Sequence, residues 1–203
     1  MGKLVVTEFV TLDGVAQAPG GLDEDRDGGF THGGWQAPLL DEASAGVMFE
    51  QAKSMDALLL GRRTYEIFAA YWPTAPEDVP FTSLLNGVPK YVASRTLTDP
   101  LDWPGSTVVG EPIAERVAGV KERHDEVHVI GSLDLLQSLL RFGVVDRLHL
   151  WLFPLLLGSG KQVFADGTVP STLRLTESVT HPSGALQLSY EIVGTPTYGN
   201  IGA

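Results

Sequence analysis

The chain has 203 residues, 43% hydrophobic and 19% charged, a composition typical of a globular protein and unlike that of a disordered chain. With 25 acidic against 14 basic residues, its formal net charge of -11 argues against nucleic acid or anionic lipid as partners. Cysteine is absent, no signal peptide is recognisable, and the longest apolar run is too short to span a bilayer. We therefore expect one cytoplasmic domain over residues 1–203.

The chain begins with a predicted strand and a predicted helix separated by a long loop. Residues 4–12 mix β-branched and aromatic side chains with period-two polarity, which predicts a strand that ends at Asp13. Residues 20–34 are rich in Gly and Asp and form a predicted loop. Residues 39–54 carry apolar side chains at helical spacing and predict a helix.

A second strand and helix follow directly. The run "ALLL" predicts a buried strand that ends at Gly61. The next apolar residues share one helical stripe, Tyr65, Phe68, Ala69 and Trp72. Pro73 ends this predicted helix because proline cannot continue the hydrogen-bond pattern.

In the rest of the chain, strands and helices first continue to alternate and are then followed by strands alone. "KYVAS" and "STVVG" predict short strands, residues 112–122 a helix begun by proline, and "EVHVIG" a strand that runs into a leucine-rich helix closed by Gly143. "DRLHLWLF", "STLRLTESVT" and "ALQLSYEIV" then predict strands without helices between them. This order predicts an α/β fold with a mixed, mostly parallel central sheet and an antiparallel C-terminal edge.

Three predicted strands end in turns with similar chemistry. These turns are Gly61-Arg62-Arg63-Thr64, Ser94-Arg95-Thr96 and Gly131-Ser132. In a parallel sheet such ends meet at one edge, where ligands bind in open α/β folds. The helix after Gly61 offers free N–H groups to a phosphate, and its arginines add charged donors. Each turn alone is more simply explained by surface charge or turn geometry, so the repetition carries the prediction of an anion site.

Three other motifs are incomplete and predict no metal or phosphate loop. Asp23, Asp25, Asp27 and Gly28 match the first half of a calcium-binding loop, but Gly34 stands where a bidentate glutamate is needed. We read this segment as a solvated acidic loop that could cover the pocket. His124 and His128 have zinc-like spacing without a third ligand, and residues 158–161 lack the rest of a phosphate-binding loop.

Several segments resemble known reductases. "LLLGRRTYE" resembles the Gly-Arg-x-Thr-Trp-Glu motif of dihydrofolate reductases, "VASRTL" their Ser-Arg segment, and "VHVIGSLDLLQS" their Val-Ile-Gly-Gly turn. "LFPLLLGSGKQVF" and "TLDGVAQ" resemble the reductase domain of riboflavin biosynthesis. The resemblance covers nearly the whole chain. It implies the three-layer dihydrofolate reductase-like fold with helices on both faces of the sheet, and an NADPH-dependent, often homodimeric reductase of a small pterin-like or pyrimidine-like heterocycle.

The resemblance also implies where NADPH binds along the sheet edge. Gly61, Arg62, Arg63 and Thr64 would hold the phosphates, and Ser94 and Arg95 the ribose phosphate and adenine. The pyrophosphate and nicotinamide end would be lined by Ile130, Gly131, Ser132, Leu133 and Asp134. The family's Gly-Gly bond in the last turn is cis. Here the corresponding bond is Gly131-Ser132, where a non-proline cis bond would cost about 3 kcal/mol.

The substrate side departs from the families that the chain resembles. The carboxylate that orients the pterin in dihydrofolate reductases falls on Ala45, and the aromatic residue one turn later on Phe49. The lysine and glutamate of the riboflavin-pathway reductases fall on Val15 and near Ile130. These replacements keep open a second interpretation, a non-catalytic protein that binds a nucleotide or another small molecule.

Three residues remain candidates for the substrate side. Phe49 could stack on a substrate ring, and Trp35 could form a wall of the pocket or serve packing alone. Asp13 ends the first strand close to the expected substrate and could deliver a proton, although a turn residue bonding its own backbone is the simpler interpretation.

Overall fold

Eight strands form one sheet in the computed structural model of this protein, which describes residues 1–202. The strands are β1 (Lys3–Thr11), β2 (Ala57–Gly61), β3 (Lys90–Ala93), β4 (Ser106–Val109), β5 (Glu126–Ile130), β6 (Arg147–Phe153), β7 (Thr172–Thr180) and β8 (Leu186–Gly194). Their order is β4-β3-β2-β5-β1-β6-β8-β7. Pairing is parallel from β4 to β6, whereas β8 runs antiparallel to both β6 and β7. The predicted mixed sheet with an antiparallel C-terminal edge is confirmed.

Five α-helices connect the strands within residues 1–202. They are α1 (Glu42–Ala52), α2 (Arg62–Tyr71), α3 (Thr82–Gly87), α4 (Ile113–Arg123) and α5 (Leu133–Arg141). None of them is long and apolar enough to cross a membrane. The first helix begins later than residue 39 because Asp41 caps it: the Asp41 carboxylate accepts the Ser44 N–H at 2.7 Å, and Ser44 Oγ accepts the Asp41 N–H at 3.1 Å.

The helices cover both faces of the sheet. Alternate residues of β2 show this arrangement, since Leu58 and Leu60 pack with α2 and α3 while Leu59 packs with α4 and α5. The predicted apolar stripe of α2 packs on the same face as Leu58 and Leu60. Each fully buried leucine stabilises the fold by about 2 kcal/mol through the removal of apolar surface from water. The three-layer arrangement implied by the resemblance to dihydrofolate reductases is therefore present.

Candidate functional site

A cleft of about 880 Å³ lies along the edge of the sheet where the carboxyl ends of β2, β3 and β5 meet. Every residue that the sequence assigned to the cofactor lines this cleft. These residues are Gly61, Arg62, Arg63, Thr64, Ser94, Arg95, Ile130, Gly131, Ser132, Leu133 and Asp134. The two arginine-bearing turns therefore face one space, while the contact of each residue with a cofactor stays a prediction.

The turns after β2 and β5 are joined to each other and to β1. The Gly61 N–H donates to Ser132 Oγ at 2.9 Å, and the Gly131 N–H donates to the Thr7 carbonyl at 3.2 Å. A Cβ added to Gly61 would lie 3.3 Å from Ser132 Cβ, so a larger residue here would fit only if Ser132 moved by a few tenths of an ångström. These bonds fix the position of two strand ends relative to each other.

The turn between β5 and α5 lacks the cis bond that the resemblance to dihydrofolate reductases implied. The cis peptide bonds within residues 1–202 precede Pro100 and Pro112, and the Gly131-Ser132 bond is trans. Gly131 and Ser132 both have positive φ, 64° and 67°. The chain therefore reverses into α5 through two left-handed residues, a conformation that is uncommon for serine.

Backbone donors are available at two helix starts in the cleft. Neither α2, which follows Gly61, nor α5, which follows Ser132, has a side-chain cap. The first N–H groups of such helices can donate to an anion, and the helix dipole favours negative charge there. The Ser94 hydroxyl instead shapes its own turn, accepting the N–H groups of Thr96 at 3.1 Å and Leu97 at 2.9 Å.

The basic side chains of the cleft differ in how they are paired. Arg62 contacts Glu66 of its own helix at 2.9 Å, and Arg63 contacts Asp27 at 2.7 Å. The hydrogen bond from Arg63 lowers the pKa of Asp27 to about 2, and the same contact raises the pKa of Arg63. Arg95 is exposed, and no carboxylate pairs with it within residues 1–202. Of these arginines, Arg95 is the most accessible to a free phosphate.

The segment 19–27, here called the acidic loop, borders the cleft through ion pairs. Lys161 contacts Asp25 at 2.6 Å and Asp27 at 3.1 Å, beside the contact from Arg63. The buried Gln17 side chain donates to the carbonyls of Asp25 at 3.1 Å and Asp27 at 3.0 Å. Asp25 and Asp27 of the calcium-like motif thus form ion pairs with Lys161 of the incomplete phosphate motif, which lies far from them in the sequence.

Asp13 is not among the residues that line the cleft. Its carboxylate accepts the Thr11 hydroxyl at 2.5 Å and the backbone N–H groups of Leu157 at 3.0 Å and Gly158 at 2.6 Å. These bonds, the one from Thr11 first, lower the pKa of Asp13. Asp13 is therefore an ionised residue that holds the loop at 157–158, a structural role different from the predicted bond to its own backbone, and the structure gives no support to its use as a proton donor.

The two aromatic candidates for the substrate side also lie away from the cleft lining. Phe49 packs edge-to-face on Phe81, with ring centroids 5.5 Å apart. Trp35 is buried against Phe153 at 5.5 Å, and its indole N–H donates to the Gln17 carbonyl at 2.8 Å. Trp35 therefore contributes to the cleft indirectly, by holding Gln17 of its lining, and contact of either ring with a substrate stays a prediction.

The two histidines with zinc-like spacing are engaged elsewhere. His124 Nε2 lies 2.9 Å from the Tyr91 hydroxyl, and His128 Nε2 lies 2.8 Å from Glu126 Oε1. His128 is buried in β5, where desolvation lowers its pKa despite the opposing effect of Glu126. Both side chains have structural partners at these positions.

Glu8 lines the cleft and was missed at the level of the sequence. It lies in β1, is 2% exposed, and its Oε1 has no hydrogen-bond partner in the part of the chain that the structure describes. Burial raises the pKa of Glu8 to about 8. The available signal was periodicity, because Glu8 takes the inward position that follows Leu4 and Val6 and precedes Val10.

Comparisons with known proteins agree with this fold. YyaP, an uncharacterized protein of Bacillus subtilis (strain 168), is 24% identical over 196 residues, which cover 93% of this chain and 94% of YyaP. A pyrimidine reductase-like protein from Corynebacterium diphtheriae superposes with a TM-score of 0.65 at 16% identity, over 95% of this chain and 92% of that one. Dihydrofolate reductase from Enterococcus faecalis complexed with NADP(H) superposes with a TM-score of 0.57 at 16% identity, over 94% of this chain and 96% of that one.

A family model gives the assignment that these pairwise likenesses leave open. The model described as the RibD C-terminal domain matches residues 2–186 of this chain. The match spans all of the turns that border the cleft and most of the sheet. The chain belongs to the RibD C-terminal domain family.

Proposed function

We propose that this protein is an NADPH-dependent reductase of a small pterin-like or pyrimidine-like heterocycle. One observation carries the proposal: three strand-end turns that offer phosphate donors line a single cleft. Membership in the RibD C-terminal domain family supports a reductase of a heterocyclic substrate. The likeness to a dihydrofolate reductase complexed with NADP(H) supports a nicotinamide cofactor.

The residues of the cleft suit this cofactor. The uncapped N-termini of α2 and α5 offer backbone donors for a pyrophosphate, and Arg95 lies on a separate turn for the phosphate of the ribose. The volume of the cleft lies within the range of about 300–1,000 Å³ that is usual for cofactor sites. When bound, the nicotinamide would supply a hydride, and the protein would position the substrate against it.

Cofactor titration tests the proposal. NADPH should bind at micromolar concentration or tighter, and Arg95→Ala should weaken NADPH far more than NADH, because only NADPH carries the ribose phosphate. Arg141→Ala removes an equal charge at the far end of α5 and should change neither affinity. Equal losses for NADPH and NADH in Arg95→Ala would contradict the assigned role.

A non-catalytic binding protein is the second candidate. Ala45 in place of the expected carboxylate favours it, since the proton route of dihydrofolate reductases is then missing. A panel of pterins and ring-reducible pyrimidinones separates the two candidates through NADPH consumption. Turnover with any member supports the reductase, and binding without turnover across the panel supports the binding protein.

A cytoplasmic location and a homodimer remain parts of the proposal. Every position of the edge strand β7 is exposed, including Leu175 at 50%. Such an edge leaves unpaired backbone groups and apolar side chains available to a second copy. Sedimentation of the purified protein tests the homodimer. A single species at the mass of one chain, 21.8 kDa, would contradict it.

A further inference from the structure

We propose that Glu8 donates the proton that the heterocycle takes up during reduction, an inference that rests on the proposed reductase function. The role is needed because the position that supplies the carboxylate in dihydrofolate reductases holds Ala45 here. Asp13, the alternative acid, is ionised and engaged outside the cleft. Burial also raises the pKa of Glu24 in the cleft lining, but its carboxylate accepts the N–H groups of Gly20 at 2.7 Å and Gly21 at 3.0 Å. Glu8 is the buried acid of the cleft whose Oε1 has no such donor within residues 1–202.

The strand register places Glu8 beside the proposed nicotinamide end. Its neighbour Thr7 pairs with Ile130 of β5, and the Thr7 carbonyl accepts the Gly131 N–H at 3.2 Å. On the other side Glu8 pairs with Leu150 of β6. Glu8 therefore lies next to the turn that lines the pyrophosphate and nicotinamide end, far from the Ser94-Arg95 turn in the strand order.

The surroundings of Glu8 keep its carboxyl group neutral near pH 7. The side chain is 2% exposed, and no donor within residues 1–202 reaches its Oε1. An isolated carboxylate in such a place is strongly disfavoured, so the group retains its proton. Natural proteins seldom keep a buried acid without a partner, and those that occur in clefts concentrate at functional sites.

The nearby charges do not provide Glu8 with a counterion. The acidic loop and the segment after β6 contribute Asp25, Asp27 and Lys161, which pair with one another and with Arg63. Asp134, in the first turn of α5, is itself acidic and cannot serve as a counterion. Burial alone accounts for the raised pKa of Glu8, and its Oε1 stays free to bond a ligand.

The proposed step transfers one proton. The Glu8 O–H bond breaks, and an N–H bond forms at the ring nitrogen of the C=N group whose carbon receives the hydride. The electron pair of the C=N π bond accepts the proton, and Glu8 remains as a carboxylate until water protonates it again. General acid catalysis of this kind is worth about 10²–10⁴-fold in rate.

The protonation state of Glu8 can be measured without any ligand. In protein labelled with ¹³C at the glutamate carboxyl groups, one resonance should titrate near pH 8 and disappear in Glu8→Gln. The same resonance should persist in Glu122→Gln, which removes an exposed carboxylate from α4. A Glu8 resonance that titrates near its ordinary value of 4.5 would overturn the proposal.

Turnover measurements then separate proton donation from cofactor binding. With NADPH and the pterin and pyrimidinone panel, Glu8→Gln should lower turnover at least 100-fold while NADPH affinity changes less than twofold. The wild-type rate should fall above about pH 8, and this limb should be missing from the residual rate of Glu8→Gln. An undiminished rate in the variant overturns the role of Glu8 alone.

Two further outcomes also decide the matter. If NADPH affinity falls as much as turnover in Glu8→Gln, the carboxyl group bonds the cofactor and proton donation to the substrate is overturned. If wild-type protein binds NADPH but consumes none across the panel, the reductase function fails, and the proton donor fails with it. The first result leaves the proposed function standing, and the second does not.

Discussion

The turns that we propose for the cofactor, here called the cofactor half, and the part of the cleft beside Gln17 and Lys161 that we propose for the substrate, here called the substrate half, are built in different ways. The cofactor half consists of short turns, Gly61-Arg62-Arg63-Thr64, Ser94-Arg95 and Gly131-Ser132, each contiguous in sequence. The substrate half is assembled over long distances, as in Lys161, whose backbone N–H donates to Gln17 Oε1, 144 positions earlier. Local chemistry thus defines where phosphates would bind, while strand pairing and loop contacts decide which side chains meet the substrate.

Among the variants that test this difference, Glu8→Gln should have the largest effect. It should change how the free energy of unfolding depends on pH. A group whose pKa is raised on folding binds its proton more tightly in the folded state. Between pH 4.5 and about 8 the unfolded chain loses this proton first, so wild-type stability falls as pH rises. Glutamine cannot ionise, and its advantage should grow to about 3–5 kcal/mol at pH 8.

Chemical denaturation at pH 4.5 and pH 8 measures this difference directly. The variant and wild type should be nearly equal at pH 4.5, and the variant should be the more stable protein at pH 8. Glu122→Gln serves as the control because it makes the same substitution at an exposed side chain of α4. A constant difference between Glu8→Gln and wild type would show that Glu8 ionises normally in the folded state.

The sequence predicted the fold, and it predicted that the three strand-end turns share one cleft, for reasons that the structure makes clear. Hydrophobic periodicity and turn chemistry are local, so the strand that ends at Gly61 and the helix that follows were readable directly. The helix start at Asp41 needed the capping pair with Ser44, a short-range signal that periodicity alone does not include.

The substrate half was not predictable from the same signals. Phe49 and Trp35 lie on elements of the right kind, but their rings turn toward Phe81 and Phe153, contacts that only the tertiary packing decides. Glu8 carried a usable signal as a charge at an inward strand position. Knowing that this position also faces a cleft requires the register of β1 against both β5 and β6.

Asp13→Asn should affect stability without affecting the cofactor half. The change leaves one acceptor for the three donors now bound and should cost about 1–2 kcal/mol at pH 7, because hydrogen bonds to a charged acceptor are the stronger ones. Since its pKa is lowered on folding, the contribution of Asp13 is present above about pH 4 and is lost as pH falls through the folded value. Melting temperatures measured in steps from pH 7 downward should show the difference between variant and wild type shrink as pH falls.

NADPH titration of the same variant completes this test. Affinity and turnover should match those of wild type, because Asp13 lies outside the cleft lining. Asp166→Asn, which changes an exposed aspartate after β6, provides the control for the loss of one charge. A large fall in turnover at unchanged stability would restore Asp13 as a catalytic acid.

Ser132→Ala should weaken the connection between two turns of the cofactor half. The Gly61 N–H would lose its acceptor at 2.9 Å, which costs about 1 kcal/mol of stability, and the two phosphate-facing turns would be held less firmly. We expect NADPH affinity to fall by about fivefold, a change of about 1 kcal/mol. Ser178→Ala on the exposed edge strand is the control, and unchanged NADPH affinity in Ser132→Ala would disconnect this bond from the cofactor.

Asp27→Asn should give the smallest effect and the opposite sign. Its carboxylate contacts Arg63 at 2.7 Å and Lys161 at 3.1 Å, so it competes with any phosphate that approaches these cations. Neutral asparagine keeps the shape of the side chain but removes that competition, and NADPH affinity should rise about threefold at low salt, less at high salt. Asp23→Asn makes the same change in the acidic loop at a residue that pairs with Arg26 alone. Weaker NADPH binding in Asp27→Asn than in this control would mean that the ion pairs of the acidic loop support the cofactor half instead of opposing it.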